Sequence, residues 1–514
     1  MILEDFMESK SNYPLILNTK YLILGLALIV VYFVTRLINL TIIPVFCDEA
    51  IYIRWAQVMR AVPSLRFIPL SDGKQPLFMW LVIPFLKVFS DPLVAGRLVS
   101  VMSGFGTMVG IGLLSFVLFK NKLLSFLAAL LYVITPFTLF FDRMALSDGL
   151  LSMFGIWFLL LAVLLIKQRR LDVAMGAGMI LGLALLTKSP ALFFALMLPL
   201  TISFVPFKSK ISWKCLQLVG LWLVVYFLGF AIYNILRLGP EFHMIAIRNK
   251  DYVYSFSEIF KHLLSPLLGN LKSVAEWYWI LLTPVIFLSG IFGICLLLKR
   301  EFKVGLFLLL WWILPILGQS AIAKVFTARY ILFSVPVFLI FVALALGKVV
   351  DNFKKNILFI IFMTFILFIV PLIQDYFLLF KPQKAWLPQE EREGYLEMWT
   401  AGYGIEESAE YLREIAKSQK VLVGTEGFFG TLPNGLEMYL EGVPNITIIG
   451  IGQPVTEISP KLISGLTDSR VFLLVNDSRL KIPFTDRLRL VASYPKAINS
   501  QGVQENLLLI EVTR

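Results

Sequence analysis

The stretch YLILGLALIVVYFVTRLINLTIIP, residues 21–44, is an apolar run long enough to cross a bilayer, and it leads into Val45-Phe46-Cys47-Asp48-Glu49. Two adjacent carboxylates are thereby delivered to the membrane surface. Beyond them Ile51, Trp55, Val58 and Met59 fall on one face of a helix, with Arg54, Gln57 and Arg60 away from it. The pair therefore opens an amphipathic, surface-lying helix. In one reading Asp48 caps that helix and Glu49 answers its dipole. In the other, Asp48 is a catalytic base beside the lipid headgroups. Position alone favours the cap; the rest of the chain reverses the balance.

Hydrophobic residues make up 58% of the chain and charged residues 16%, a composition that excludes a soluble protein of this length. Repeated apolar runs of about 20 residues indicate a polytopic membrane protein. The net charge of +12 is then read as cytoplasmic anchoring and not as nucleic-acid binding. Two histidines, His243 and His262, cannot build a multi-histidine metal site, and Cys47, Cys215 and Cys295 are too scattered for a disulfide framework or a zinc site. No cleavable signal peptide is expected: residues 1–20 are polar and mixed in charge, and the first apolar run is long enough to stay in the membrane.

Spans are expected near 21–43, 93–119, 123–141, 146–166, 171–187, 190–206, 215–236, 277–298, 304–319, 329–347 and 357–379, about eleven by the length criterion. With the N-terminus inside, the inner loops carry Lys120 and Lys122; Lys167, Arg169 and Arg170; Lys208, Lys210 and Lys214; Lys299, Arg300 and Lys303; and Lys348, Lys354 and Lys355. Every inner loop is basic, as the positive-inside rule requires. Pro76–Phe89 is apolar but short, and counting it as a span would put these clusters outside. It is read as a second surface helix beside Ile51–Met59. The expected location is the plasma (cytoplasmic) membrane.

Five cations break the pattern by lying at the outer ends of helices: Lys74, Arg97, Arg143, Lys188 and Arg329. Singly, each is explained as a snorkelling anchor or a partner of a carboxylate. Together they point to an anion held at the outer surface, for which a lipid phosphate is the obvious candidate. Asp148 falls at the outer start of the next span, either as a helix-start carboxylate paired with Arg143 or as a second acidic wall beside Asp48. The long outer loop 237–276 holds Arg248, Lys250, Asp251, Tyr252, Tyr254 and Phe256, candidates to close over a substrate.

After Leu379 the composition changes, dividing the chain into a transmembrane domain, 1–379, and a soluble extracytoplasmic α/β domain, 380–514. Strands are expected at Val421–Val423, Ile446–Gly450, Val471–Val475, Leu488–Ala492 and Leu507–Val512, and a helix at Glu406–Ala416. Gly427–Pro433 is a turn-rich loop that either binds ligand or turns the chain. Trp399–Gly404 is an aromatic loop near the membrane exit, read as an interfacial anchor ahead of a contact to sugar or headgroups.

The acidic pair, Gly73-Lys74-Gln75-Pro76-Leu77-Phe78, Ala95-Gly96-Arg97, Arg143 with Asp148, Leu186-Thr187-Lys188-Ser189-Pro190 and Ala328-Arg329-Tyr330-Ile331-Leu332 occur in this order. Over residues 20–350 the chain resembles the prokaryotic relatives of protein O-mannosyltransferases and the aminoarabinose lipid A transferases, integral-membrane glycosyltransferases of the GT-C class. The resemblance implies a polyprenyl- or dolichyl-phosphate-linked sugar donor, an outward-facing site and inversion at the anomeric carbon. It assigns Asp48 as the first-loop catalytic aspartate, Lys74 as the lysine near the donor phosphate and Arg329 to the late Arg-Tyr motif of the donor site. Gln75 departs from the pattern, which commonly has proline there.

The residues allow the same chemistry. A sugar on a lipid phosphate carries a leaving group that departs without a general acid, and Lys74 and Arg329, with Arg97, Arg143 and Lys188, are candidates to stabilise its charge. Asp48 is the candidate base, with Asp148 and Glu49 as supporting carboxylates. No cofactor is required, and a divalent cation would be optional because lysine and arginine neutralise the phosphate. The implied partners are the lipid-linked donor, a protein, lipid or glycan acceptor, and membrane lipids. A lipid-substrate transporter or flippase and a non-catalytic assembly protein are the rival classes. The first is disfavoured because the charges gather at one face instead of the midplane. The second leaves the acidic pair and the outer cations unexplained.

Overall fold

The computed structural model describes residues 19–204, 213–255, 257–259, 264–483 and 486–514. Residues 1–18, Lys208, Lys210, Phe256 and His262 lie outside the described residues, as does the side chain of Lys214. Seven described helices are long and apolar enough to cross a membrane: Thr19–Leu37, Pro92–Phe119, Ser147–Gln168, Cys215–Leu238, Phe302–Ile322, Ala328–Phe353 and Ile357–Phe380. Two bent pairs raise the number to as many as nine, Lys122–Ile134 with Pro136–Asp142 at 62° and Leu264–Leu281 with Pro284–Arg300 at 114°. The other two expected spans correspond to shorter apolar helices, Leu171–Thr187 and Ser189–Phe204.

Both bends fall at a Thr-Pro step. Proline excludes the preceding residue from the helical region, and Thr135 sits at φ −82°, ψ 124° and Thr283 at φ 72°, ψ 149°. The single span expected at 277–298 is therefore two helices meeting at a sharp corner. In the outer loop expected at 237–276 the described residues include helix Met244–Tyr252 and the start of Leu264–Leu281. At the first bend the broken ladder frees carbonyls that a helix would have used. Arg36 reaches them from the first span, donating to Val133 O at 2.5 Å and Tyr132 O at 3.2 Å. Arg36 also pairs with Asp142 at 3.4 Å, both side chains fully buried. Tyr132 donates its hydroxyl to the same carboxylate at 2.8 Å.

The helix expected after the acidic pair spans Cys47–Ala61, and the second short helix is Leu77–Phe85. They pack together through Tyr52 and Phe78, whose rings are 6.1 Å apart. The first was expected to lie on the membrane, but protein covers it: Ile51, Trp55 and Met59 are buried, and so is Gln57 on the opposite face. The cover on that polar face is the C-terminal domain. Gln57 donates to Met438 O at 2.9 Å, and Arg54 and Arg60 pair with Glu437 at 3.2 Å and Glu441 at 2.6 Å.

That domain carries a five-stranded sheet of order β2-β1-β3-β5-β4, with β1 (Val421–Thr425), β2 (Ile446–Gly450), β3 (Arg470–Asn476), β4 (Leu488–Ile498) and β5 (Gln504–Val512). β1 is parallel to β2 and β3; β5 is antiparallel to β3 and β4. Alternation splits β3 and β5 between two cores: Phe472, Leu474 and Leu509 join the main hydrophobic cluster, whereas Leu473, Val475 and Ile510 form a second one. Helix Ile405–Ala416 covers the first face through Leu412 and Ala416.

Close helix approach depends on particular glycines. A methyl at Gly293 would lie 1.9 Å from the Phe341 carbonyl oxygen, whereas nothing lies within 4 Å of one at Gly269. Gly293→Ala is expected to destabilise the helix bundle by about 1–3 kcal/mol through overpacking. Gly269→Ala should leave it unchanged or slightly firmer. Thermal midpoints of the two variants in the same detergent check this.

Candidate active site

The first turn of helix Cys47–Ala61 sorts the acidic pair into two environments. Glu49 is fully buried and accepts four hydrogen bonds, from Arg97 Nε and NH2 at 2.9 and 2.8 Å, Ala145 N at 2.6 Å and Phe46 N at 2.9 Å. Arg97, also fully buried, donates its remaining N–H groups to the Leu40, Ile43 and Pro44 carbonyls. All five guanidinium donors are thus engaged. Arg143 likewise turns away, donating to Thr35 O at 3.0 Å and Asn39 O at 2.6 Å.

Asp48 points to the other side, where its Oδ2 lies 2.6 Å from Arg329 NH2. Burial pushes its carboxyl up, but Arg329, Lys74 and Lys188 together outweigh burial and hold it below the usual carboxylate range. Asp148 pairs at 2.6 Å with Lys188, not with Arg143. Lys188 sits over the Tyr330 ring at 4.1 Å. Burial and the nearby Arg329 lower its pKa to about 8 against the pull of Asp148. Lys74 donates to the Tyr252 hydroxyl at 3.1 Å. Burial opposes its charge, but Tyr52, Asp48 and other neighbours leave its pKa above the ordinary lysine value. Five of the eight candidates, Asp48, Lys74, Asp148, Lys188 and Arg329, thus form one electrostatic cluster; Glu49, Arg97 and Arg143 stand apart from it.

Lys74 and Lys188 line a cavity of about 450 Å³ together with Gln75, Tyr252, Tyr330 and the apolar Leu192, Phe193, Leu196 and Val325. Leu192, Leu196 and Val325 are also exposed, so the cavity opens on the flank of the helix bundle. Arg329 is next in the chain to the cavity-lining Tyr330, and Lys74 in the cavity acts on Asp48 by its charge. A cavity of about 520 Å³ between helix Cys47–Ala61 and the C-terminal domain holds none of the eight candidates. Among the described residues no group of three or more His, Cys, Asp or Glu side chains could hold a metal ion.

Tyr252 and Arg248 were loop candidates without partners and Gln75 only a departure from a motif; the structure gives each a contact, and it adds Glu391, which was not a candidate. Tyr252 reaches Lys74 from the loop at 237–276, where Arg248 ties that loop to Asp72 at 2.6 Å. Gln75, the departure from the expected pattern, donates to Ser189 Oγ at 2.7 Å and so joins the Lys74 and Lys188 segments. Glu391 accepts from Ala328 N at 2.8 Å, one residue from Arg329, and burial pushes its carboxyl up to about 7. Its only signal was an acidic run after a proline.

The C-terminal domain holds the turn that carries Asp48. Cys47 N donates to Thr400 O at 3.1 Å, Gly402 N donates to Val45 O at 2.9 Å, and Phe46 stacks on Tyr395 at 4.2 Å. Burial, with Asp48 alongside, pushes the Cys47 thiol up to about 12.

Residues 73–233 match the family model described as dolichyl-phosphate-mannose-protein mannosyltransferase. No curated protein matches the chain in sequence. Among solved structures, ArnT from Cupriavidus metallidurans bound to undecaprenyl phosphate superposes with a TM-score of 0.56 at 14% identity, over 95% of this chain and 97% of that one. The archaeal oligosaccharyltransferase AglB from Archaeoglobus fulgidus, in complex with an inhibitory peptide and a dolichol-phosphate, gives 0.52 at 13% identity, over 90% and 70%. The fold is that of the GT-C class of integral-membrane glycosyltransferases. Family match and fold together indicate a membrane glycosyltransferase.

Glu49→Gln would leave the buried Arg97 without its counter-charge and is expected to cost about 3–5 kcal/mol. Asp48→Asn, at the part-exposed neighbour, should cost far less. Comparing the thermal midpoints of the two variants in detergent checks the division between them.

Proposed function

We propose that the protein transfers a sugar from a polyprenyl- or dolichyl-phosphate donor to a hydroxyl or amine acceptor, with inversion, at the outer face of the membrane. The observation that carries this reading is the Asp48–Arg329 contact of 2.6 Å beside a cavity whose wall combines Lys74 and Lys188 with Leu192, Phe193 and Leu196. A lipid phosphate has the same two halves, an anionic head and an apolar tail. The lipid phosphates bound in the two solved structures of the same fold support the donor class.

In this mechanism the phosphate head lies among Lys74, Lys188 and Arg329. The acceptor oxygen or nitrogen attacks the anomeric carbon from the face opposite the phosphate. The carbon–oxygen bond to phosphate breaks, its electron pair goes to the phosphate oxygen, and the three cations stabilise the charge that develops. The acceptor proton passes late to Asp48, which is ionised at neutral pH because the same cations hold its carboxyl low. Arg329 serves both partners: a phosphate arriving at its guanidinium competes with Asp48 and loosens the base from its ion pair. Asp148 holds Lys188 in position. Glu49, Arg97 and Arg143 act as positioning groups, since their hydrogen bonds run to backbone and to each other.

Asp48→Asn should lower transfer from a labelled polyprenyl-phosphate sugar by about 10²-fold or more while donor binding persists. Near-normal turnover in this variant would remove Asp48 as the base. The pH profile gives a second check. Lys188 is charged below its pKa of about 8 and neutral above it. kcat/KM for the donor, which reports the free enzyme, should therefore fall on the alkaline side near that pH. Lys188→Arg should move the limb upward by more than a unit.

A further inference from the structure

A second cavity, of about 340 Å³, lies in the C-terminal domain between the segment 389–399 and the β4–β5 turn. Its wall includes Gln389, Glu393, Trp399, Ser478, Gln501 and Glu505. No lysine or arginine lines it, so it does not suit an anion. What it offers is an indole ring set among amide, hydroxyl and carboxylate groups. Arg479, outside the lining, sits over the Trp399 ring at 3.7 Å and fixes it. Glu393 is held by Gln389 at 2.8 Å, and Glu505 by Ser478 and Lys496. The site is therefore ordered before any ligand arrives.

Its position relative to Asp48 gives it meaning. Trp399 is joined in the chain to Thr400, whose carbonyl accepts the N–H of Cys47, the residue before Asp48. On the other side, Gly430 fits between the two: a methyl there would lie 3.5 Å from Cys47 Sγ and 3.8 Å from the Trp399 ring. Cavity and base thus flank one backbone junction, the bridge between Phe46 and Ala401.

We infer that this cavity is the acceptor subsite and that it takes a neutral pyranose unit of a glycan acceptor. A pyranose presents an apolar C–H face and a rim of hydroxyls, the complement of an indole with directional donors and acceptors around it. The inference rests on the transferase reading above, for which it supplies the acceptor class.

The test uses the full-length protein in nanodiscs on an array of neutral oligosaccharides, acidic oligosaccharides and peptides. Wild type and Asp48→Asn should both retain neutral glycans. Trp399→Ala should weaken that retention at least tenfold, and Trp399→Phe should restore most of it. Gln501→Ala, an exposed side chain whose loss leaves the backbone bond to Asn499 in place, should weaken it severalfold in a protein that folds normally. No retention of neutral glycans by wild type, or retention by Trp399→Ala and Gln501→Ala equal to that of wild type, overturns the subsite. Because retention is read without turnover, an Asp48→Asn protein that still transfers sugar would sink the base assignment and leave this result standing.

Discussion

The buried pair between Glu49 and Arg97 fixes the geometry around which the candidate site is arranged. Two charges withdrawn from water are costly unless every lone pair and proton finds a partner. Here Glu49 accepts four hydrogen bonds and Arg97 donates five. Those bonds run to the segment after the first span, to helix Pro92–Phe119 and to the backbone at Ala145. The first turn of helix Cys47–Ala61 consequently has one orientation. Asp48, one residue before Glu49 and about 100° around the helix, is turned toward Arg329.

The cations of the candidate site follow a different logic. Arg329 and Lys188 each hold a carboxylate at 2.6 Å, but these pairs are partly exposed. Partial exposure lowers the penalty for separating them, so an arriving anion can exchange partners where it could not at Glu49–Arg97. Rigid support beneath and exchangeable charge above is an arrangement suited to binding a phosphate and releasing it. The C-terminal domain belongs to this support, because the Cys47, Val45 and Phe46 contacts all run to residues between Tyr395 and Gly402.

Local reading worked where the cause is local. The strands at 421, 446, 471, 488 and 507 were legible because apolar alternation and turn residues act over a few positions, although β1, β3, β4 and β5 extend beyond the expected ends. The bend at Thr283 was missed because length and apolarity were weighed ahead of the Thr-Pro step. The helix Cys47–Ala61 was read as amphipathic from its spacing, but spacing cannot say whether lipid or protein covers a face. Gln57 was read as lying away from the apolar face, and it is buried under Met438.

The sequence by itself determined the membrane class, the ordered charged motifs and the sheet-bearing C-terminal segment, since hydropathy, charge and short-range periodicity are properties of the chain read in line. Tertiary structure alone decided which of the charges at the helix ends meet. Arg97, Arg143, Lys188 and Arg329 look alike as isolated cations at helix ends. Their partners lie tens to hundreds of residues away, and Arg329 reaches Asp48 across a sequence separation of 281. Only packing of the helices, set by contacts such as Gly293 against Phe341, brings one arginine to a carboxylate in a closed core and another to a carboxylate beside an open cavity.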